Sequence, residues 1–199
     1  PELPPVYPDM TVYEYLRFVA ELKKVKKNER QVQIEDVMKQ TQIEDVKGRL
    51  IKNLSKGYKQ RVGLAQAIIG YPEVIILDEP TVGLDPKGRD EILDQIAKLK
   101  EQMGITVVLV SHSMDDVARY VDRIIVMNKG SVMYDDVPRE VFRHYVELEK
   151  IGLAAPQVTY IMKELRDHGM PVSDDVTTID EAKAEIERYF KELAQSKKG

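Results

Sequence analysis

The stretch Val74-Ile75-Ile76-Leu77-Asp78-Glu79-Pro80 decides how this chain of 199 residues folds. It begins with four apolar residues, most of them β-branched, and it ends in two adjacent carboxylates. A second apolar run, Thr106 to Val110, comes after a segment of helical character that starts at Asp85-Pro86. Uniformly apolar runs separated by a helix are typical of parallel strands that are buried on both faces. We therefore predict an α/β fold with a mostly parallel sheet.

Asp78 and Glu79 stand where the first predicted strand emerges, at the edge where open α/β sheets bind their ligands. Two carboxylates at a strand end often do no more than begin a turn, so they carry little information alone. Upstream, Ser55 and Gly57 start a helical pattern, and a helix start offers amide groups to a phosphate. His112 directly follows the second predicted strand. Together these residues favour a functional site over an ordinary turn.

The first 70 residues are predicted to be mainly helical. Thr11 to Glu14 has the pattern of a capping box, which predicts a helix from about residue 11 to 25 with Leu22 on its apolar face. A second amphipathic helix is predicted at about 31 to 41, with an apolar face formed by Val32, Ile34, Val37 and Met38. The basic run from Lys23 to Asn28 is interpreted as a solvated connector without a function.

The second half contains a predicted hairpin and a helical end. Two apolar runs flank Asn128-Lys129-Gly130, which predicts a β-hairpin that closes the edge of the sheet. Pro156 is expected to open one helix, and Thr178 to Glu181 has the pattern that caps another. We predict three parts: a helical part at 1–72, a catalytic core at 73–150 and a helical appendage at 151–199.

The composition excludes several classes of protein. With 30 basic and 34 acidic residues, the net charge is −4, so no overall positive field attracts nucleic acid, and we expect no nucleic-acid partner. No stretch approaches the roughly 18 apolar residues needed to cross a bilayer, so any membrane role is expected to be peripheral. The absence of cysteine and of a secretory leader favours a reducing cytoplasm.

The order of these motifs resembles the ATP-binding cassette (ABC) ATPases of membrane transporters, from about Pro1 through Arg143. The signature motif of that family is usually Leu-Ser-Gly-Gly-Gln, and Leu54 to Tyr58 keeps Ser55 and Gly57 of it. The departures are similar to those of exporter-type members, whereas the part after residue 105 resembles the ATPases of energy-coupling-factor importers. The resemblance implies a P-loop NTPase-like fold and hydrolysis of MgATP.

For the strand end, the resemblance implies a role for each polar residue. Ile76-Leu77-Asp78 corresponds to the Walker B strand, in which Asp78 holds Mg²⁺ through water and Glu79 polarises the attacking water. Because neighbours on a strand point to opposite sides, one carboxylate is expected to serve the metal and the other the water. His112 corresponds to the switch histidine that contacts the γ-phosphate. Asp85 corresponds to the D-loop aspartate that couples two sites across a dimer.

The resemblance also implies contacts between subunits. Ser55, Gly57 and Tyr58 are expected to bind the γ-phosphate of the nucleotide held by a second ATPase subunit, so that hydrolysis depends on closure of the dimer. Glu2 falls where the family has its Q-loop glutamine, which contacts nucleotide and metal. The expected partners are a second ABC ATPase subunit, in a homodimer or heterodimer, and membrane-spanning transporter subunits. The expected location is the inner face of the cell membrane.

One motif of the family is missing from the sequence. No Gly-x-x-x-x-Gly-Lys-Ser/Thr occurs in it, and that Walker A loop supplies the amides and the lysine that hold the β-phosphate. In the family the loop precedes the Q-loop, so an N-terminal segment could be truncated, not described or in another chain. The mixed resemblance also leaves open a recombined, chimeric sequence.

Three hypotheses for the function follow. The first is an ATPase subunit that energises an ABC transporter. The second is a truncated or chimeric fragment that does not bind ATP alone and serves as a scaffold or partner-binding module. The third is an ABC ATPase with a soluble task in DNA repair or translation, and it fits less well because such relatives carry long insertions or paired cassettes.

Overall fold

The computed structural model describes residues 6–196. Within them, the α-helices are α1 (Val12–Leu22), α2 (Arg30–Gln40), α3 (Lys56–Ile68), α4 (Pro86–Met103), α5 (Met114–Tyr120), α6 (Pro138–Arg143), α7 (Tyr145–Lys150), α8 (Gln157–Asp167) and α9 (Ile179–Ser196). The strands are β1 (Val74–Asp78), β2 (Thr106–Val110), β3 (Ile124–Asn128) and β4 (Ser131–Asp136). The chain forms two compact units, the first ending at Val110 and the second beginning at Ser111. The division into three parts stays a prediction.

Helix α1 begins with the predicted capping box. The Thr11 hydroxyl accepts a hydrogen bond from the Glu14 amide at 3.3 Å, and the Glu14 carboxylate accepts one from the Thr11 amide at 2.9 Å. Leu22 is the last residue of the helix and is 69% exposed, so its predicted place on the apolar face was wrong. The physical reason is that α1 ends there and the chain turns away at Lys24, which has a φ of 58°.

Helix α2 buries Ile34, Val37 and Met38, as the pattern predicted. Val32 was wrongly placed on this face, because it is 68% exposed. Consecutive helical residues are about 100° apart around the axis, so Val32 points about 200° away from Ile34. One apolar residue therefore lies on the opposite side of the helix.

Strands β1 and β2 pair in parallel, from Val74 opposite Thr106 to Asp78 opposite Val110. The predicted parallel pairing is confirmed, but the prediction that both faces are buried was wrong. Ile75 is buried, whereas Ile76 between its neighbours is 71% exposed. Because successive side chains of a strand point to opposite faces, this alternation means that only one face of the sheet is covered.

Strands β3 and β4 form the predicted hairpin. The two strands pair antiparallel and are joined by Lys129 and Gly130, which have φ values of 49° and 80°. Over residues 6–196, the hairpin forms a sheet of its own, so the prediction that it closes the edge of the parallel sheet was wrong. The two-residue turn specifies only the pairing of these two strands with each other, whereas pairing with the parallel sheet would depend on contacts distant in the sequence.

The end of the chain folds into two predicted helices. Pro156 precedes α8, and the Thr178 hydroxyl accepts a hydrogen bond from the Glu181 amide at 3.3 Å at the start of α9. A small core holds this region together, with Met162, Val172, Val176 and Ala182 at its centre. Across the part of the chain that the structure describes, no helix is long and apolar enough to span a membrane.

Candidate functional site

The strand that carries the two carboxylates ends in an uncommon backbone conformation. Asp78 is the last residue of β1, and the Glu79 amide still donates a hydrogen bond to the Val110 carbonyl at 3.0 Å. Glu79 itself has a φ of 47°, in the left-handed region that non-glycine residues seldom occupy. Strand alternation therefore does not explain how the two carboxylates are separated, because the strand has ended before Glu79.

The loop after Glu79 is a pair of tight turns that leads into α4. The Val82 amide donates to the Glu79 carbonyl at 3.1 Å, and Gly83 follows with a φ of 71°. Asp85 caps α4 and Pro86 occupies its first turn, as predicted, although the Asp85 side chain makes no capping hydrogen bond. At Gly88 a Cβ would lie 2.8 Å from the Asp85 carboxylate, so a larger residue there would displace the Asp85 side chain.

Helix α3 begins at the serine that the sequence singled out. Ser55 is its N-cap, and its hydroxyl accepts a hydrogen bond from the Tyr58 amide at 3.4 Å. Apart from its own turn of helix, nothing lies within 4 Å of where a Cβ would be at Gly57, so the surface above this turn is open. The Tyr58 hydroxyl donates to Asp45 at 2.6 Å, and this bond raises the pKa of Tyr58.

Lys56, one of the two residues at which the signature motif departs from Leu-Ser-Gly-Gly-Gln, lies beside the loop after β1. The Lys56 ammonium lies 3.0 Å from where a Cβ would be at Gly83, and the stem of the lysine lies within 4 Å of the same point. A side chain at Gly83 would meet this lysine and would also be strained at its positive φ. The signature motif and the loop that carries Asp85 are thus neighbours within the first unit.

A groove of about 300 Å³ runs along β1 and reaches the two carboxylates. Apolar side chains of α3, β1 and α4 form much of its wall, and Asp78 and Glu79 lie at the strand end. Three longer polar side chains, Lys23, Gln60 and Gln66, also line it. The sequence did not indicate that these three side chains line a groove. Lys23 belongs to a basic run, and nothing in the sequence assigned a role to the two glutamines.

The remaining predicted site residues lie elsewhere. His112 follows β2, is exposed and belongs to the second unit. The Ser113 amide beside it donates to the Ser111 hydroxyl at 3.1 Å, which closes a short turn before α5. The position of His112 relative to a γ-phosphate stays a prediction. Glu2 lies outside the described residues.

The carboxylates fit a magnesium site of the kind that nucleotides complete. No cluster of three or more His, Cys, Asp or Glu side chains that could hold a metal occurs among residues 6–196. Mg²⁺ is commonly held by one or two carboxylates, with water and substrate phosphates as the other ligands. Asp78, an exposed carboxylate at the end of a strand, suits such a shared site.

Comparisons with known proteins agree with this geometry. The family model described as "ABC transporter" matches residues 2–82. The energy-coupling factor transporter ATP-binding protein EcfA2 of Clostridium tetani is 50% identical over 141 residues, which cover 71% of this chain and 49% of the relative. The protein of the same name from Clostridium perfringens is 53% identical over 131 residues, which cover 66% of this chain and 46% of the relative.

A solved structure matches as well. It is cbiO1 from Clostridium perfringens, described as part of the ABC transporter complex cbiONQ. Its TM-score is 0.67 at 33% identity, over 81% of this chain and 65% of the solved chain. The predicted P-loop NTPase-like fold is thereby confirmed.

The extent of these matches qualifies the expectation that only the part after residue 105 resembles energy-coupling-factor ATPases. The chain spans about half the length of the curated relatives it matches. An alignment of 141 residues is longer than the stretch from residue 105 to the end, so the likeness to energy-coupling-factor ATPases is not confined to that stretch. The motif order, the fold and these relatives agree that the chain belongs to the ABC transporter ATPase family.

Proposed function

We propose that this chain provides the hydrolytic part of an ATP-binding subunit of an energy-coupling-factor-type transporter. The observation that carries the proposal is the end of β1, where Asp78 is followed by Glu79 in a left-handed conformation. A carboxylate held in a strained backbone conformation at the ligand-binding edge of a parallel sheet is typical of an active site. The curated relatives bear the name of ATP-binding proteins of such transporters.

In this proposal each strand-end residue has one task. Asp78 holds Mg²⁺ through water, and the metal, when bound, supplies positive charge that neutralises the phosphates. Glu79 accepts a hydrogen bond from the attacking water and orients it toward the γ-phosphate. His112 donates a hydrogen bond to the same phosphate. These roles need little covalent chemistry from the protein, since phosphoryl transfer depends mainly on positioning and electrostatics.

The signature residues act toward a second ATPase subunit. Ser55 and the open turn at Gly57 present a hydroxyl and amides to the γ-phosphate of the nucleotide that the other subunit holds. Tyr58, fixed by Asp45, stabilises the shape of this turn. Asp85 stands in the loop that couples the two sites, and Glu2 contacts nucleotide and metal. Closure of the dimer then becomes a condition for hydrolysis.

The membrane-spanning partner docks on the helical region at α1 and α2, with the protein at the inner face of the membrane. Two apolar side chains there are strongly exposed, Leu22 at 69% and Val32 at 68%. A contiguous exposed apolar patch marks a protein contact, and the docking proposal requires that these two side chains belong to one. Replacing both by aspartate is expected to weaken association with membrane subunits while the fold persists. Replacing Ile179, which is 71% exposed in the second unit, is the control.

The test of the proposal is purification from membranes together with the partner chains, followed by an assay for MgATP hydrolysis. Co-purified membrane subunits and hydrolysis support the ATPase. The second candidate, a scaffold that does not bind nucleotide, rests on the sequence, which lacks a Walker A motif. Calorimetry of the assembled complex with MgATP separates the two, and an absence of binding there would contradict the ATPase.

A further inference from the structure

Lys23 has an unusual place for a residue in a basic run. Its ammonium donates to the carbonyl groups of Gln66, Ala67 and Ile69 at 2.8, 2.8 and 2.9 Å. Burial of this group lowers the pKa of Lys23. The interpretation of the whole run as a solvated connector was therefore wrong at its first residue, because the Lys23 side chain binds the end of α3.

The hydrogen bonds at the end of α3 show what this lysine supplies. The last four carbonyls of an α-helix have no partner inside the helix. Here the Ala65 carbonyl accepts from the Ile69 amide at 3.2 Å, and the Ile68 carbonyl accepts from the Tyr71 amide at 3.0 Å. The two carbonyls between them, of Gln66 and Ala67, accept from Lys23. A cation at this end is also favoured by the helix dipole.

Lys23 connects α3 to α1, and a second bond runs parallel to it. The Tyr15 hydroxyl of α1 donates to the Gln66 side chain at 2.5 Å. The end of α3 is thus held from α1 by the side chains of Tyr15 and Lys23. Leu22, the exposed apolar residue of the proposed docking region, precedes Lys23 directly in sequence.

The segment that follows α3 leads straight to the catalytic strand. Residues 69–73 join α3 to β1, and β1 ends at Asp78. From α2, Gln33 accepts from the Gly70 amide at 3.3 Å, and Asp36 accepts from the Tyr71 hydroxyl at 2.7 Å. A segment this short transmits a displacement at the end of α3 to the strand.

We infer that Lys23 is a positioning residue, which fixes the junction between the signature helix and β1 and so makes the placement of Asp78 and Glu79 depend on α1. This inference rests on the proposed function, in which those carboxylates serve catalysis. It gives the docking region a direct mechanical connection to the site: a partner that shifts α1 at Leu22 shifts the lysine that holds the end of α3.

Amide hydrogen exchange on the 199-residue chain tests the positioning without any need for activity. Lys23→Met keeps most of the stem and removes the donors, so exchange at the Tyr71 and Glu79 amides should become about tenfold faster or more. The Lys59 amide, bonded to the Ser55 carbonyl at the other end of α3, should not change. Lys23→Arg restores donors and should exchange like the wild type. Lys24→Met is the matched control.

Three outcomes would overturn the inference. One is unchanged exchange at Tyr71 in folded Lys23→Met, and another is faster exchange at Tyr71 with no change at Glu79, which would make Lys23 a local cap only. The third is a failure of Lys23→Arg to restore the wild-type rates. If Lys23→Met does not fold, Lys23→Gln, with donors on a shorter side chain, gives the same comparison with a smaller difference.

Kinetics of the assembled complex add a readout that a purely structural role would not give. Lys23→Met should lower kcat about tenfold and leave the KM for MgATP within about twofold, because misplaced groups slow chemistry more than they weaken binding. Lys23→Arg should restore kcat. Equal losses in both parameters would count against a positioning role. If the wild-type complex does not hydrolyse MgATP, the proposed function fails, and hydrogen exchange alone still decides whether Lys23 positions the strand.

Discussion

Two residues of this protein, Glu79 and Lys129, follow a strand with a left-handed backbone, at φ values of 47° and 49°. Lys129 belongs to a two-residue turn with Gly130 that joins β3 to β4, and such turns suit the twist of hairpin strands. Glu79 follows β1, whose pairing partner β2 comes only after a long helix. The connection of the strands therefore explains the conformation of Lys129 but not that of Glu79.

The difference teaches how to recognise a residue that serves chemistry. A non-glycine residue in this region costs on the order of 1 kcal/mol, and glycine would avoid that cost at either position. At Lys129 the hairpin compensates, since the turn lets two strands pair. At Glu79 no hairpin compensates, and a glycine there would remove the carboxylate. The two positions can thus be separated by experiments that replace the side chain or relieve the backbone.

The largest expected effect is on MgATP turnover, and it distinguishes the side chain of Glu79 from that of Lys129. In the assembled complex, Glu79→Gln should reduce MgATP turnover by on the order of a hundredfold or more, because an amide cannot polarise the attacking water. Nucleotide binding should persist, as measured by calorimetry. Lys129→Gln, at the matched position of the hairpin, should leave turnover unchanged. Turnover above a tenth of the wild-type rate in Glu79→Gln would refute the catalytic assignment.

A smaller effect concerns the two capped helix starts, one in each unit. Ser55→Ala and Thr178→Ala each remove a hydroxyl that accepts from an amide, and each should lower the free energy of unfolding by about 1 kcal/mol. Only Ser55→Ala should also weaken the ATP-dependent dimer, because only Ser55 is assigned a phosphate contact. Thermal melts and light scattering with MgATP measure the two quantities. An equal effect of both changes on the dimer would remove the special role of Ser55.

Relieving the backbone should give a still smaller effect of the opposite sign. Lys129→Gly and Glu79→Gly should each stabilise the fold by about 0.5–1 kcal/mol, because glycine adopts a positive φ without strain. Only Glu79→Gly should abolish turnover. Denaturant unfolding measures the stability of both variants. A loss of stability in Glu79→Gly would mean that the side chain supports the fold, and the contrast with Lys129 would then disappear.

The smallest effect concerns a carboxylate with a structural task. Hydrogen bonds from Arg188 and then from the Ser173 amide lower the pKa of Glu185 to about 2. A carboxylate whose pKa is lower in the folded state stabilises the fold above its unfolded value of 4.5, and it loses that contribution as the pH falls toward 2. Since Arg188 is 47% exposed and Glu185 is 19% exposed, solvent screens the pair and the change should be about 0.5 kcal/mol.

Thermal melts between pH 5 and pH 2 measure this loss. Glu185→Gln should flatten the pH dependence by that amount and should leave MgATP turnover at neutral pH unchanged. A variant with the same acid dependence as the wild type would show that Glu185 does not contribute. The result would also set Glu185, a carboxylate held by Arg188, apart from Glu79, whose replacement should change turnover.

Much of the fold could be predicted because its signals are local in sequence. The capping boxes at Thr11 and Thr178, the start of α4 at Pro86 and the turn at Gly130 each depend on residues a few positions apart. Each motif of the family is also a short stretch of sequence, so the order of the motifs along the chain indicated the family. The sequence did not reveal which apolar side chains stay exposed, since Leu22 and Val32 fit the apolar pattern as well as their buried neighbours do.

By itself, then, the sequence determined the element types, the parallel strand pair and the candidate residues at the strand end. Only the tertiary structure decided that Lys23 binds the end of α3, a contact between residues more than 40 positions apart, and that Glu79 adopts a left-handed conformation. The hairpin forms its own sheet for a related reason. Local patterns are set by neighbouring residues, whereas partners distant in the chain meet only when the packed fold brings them together.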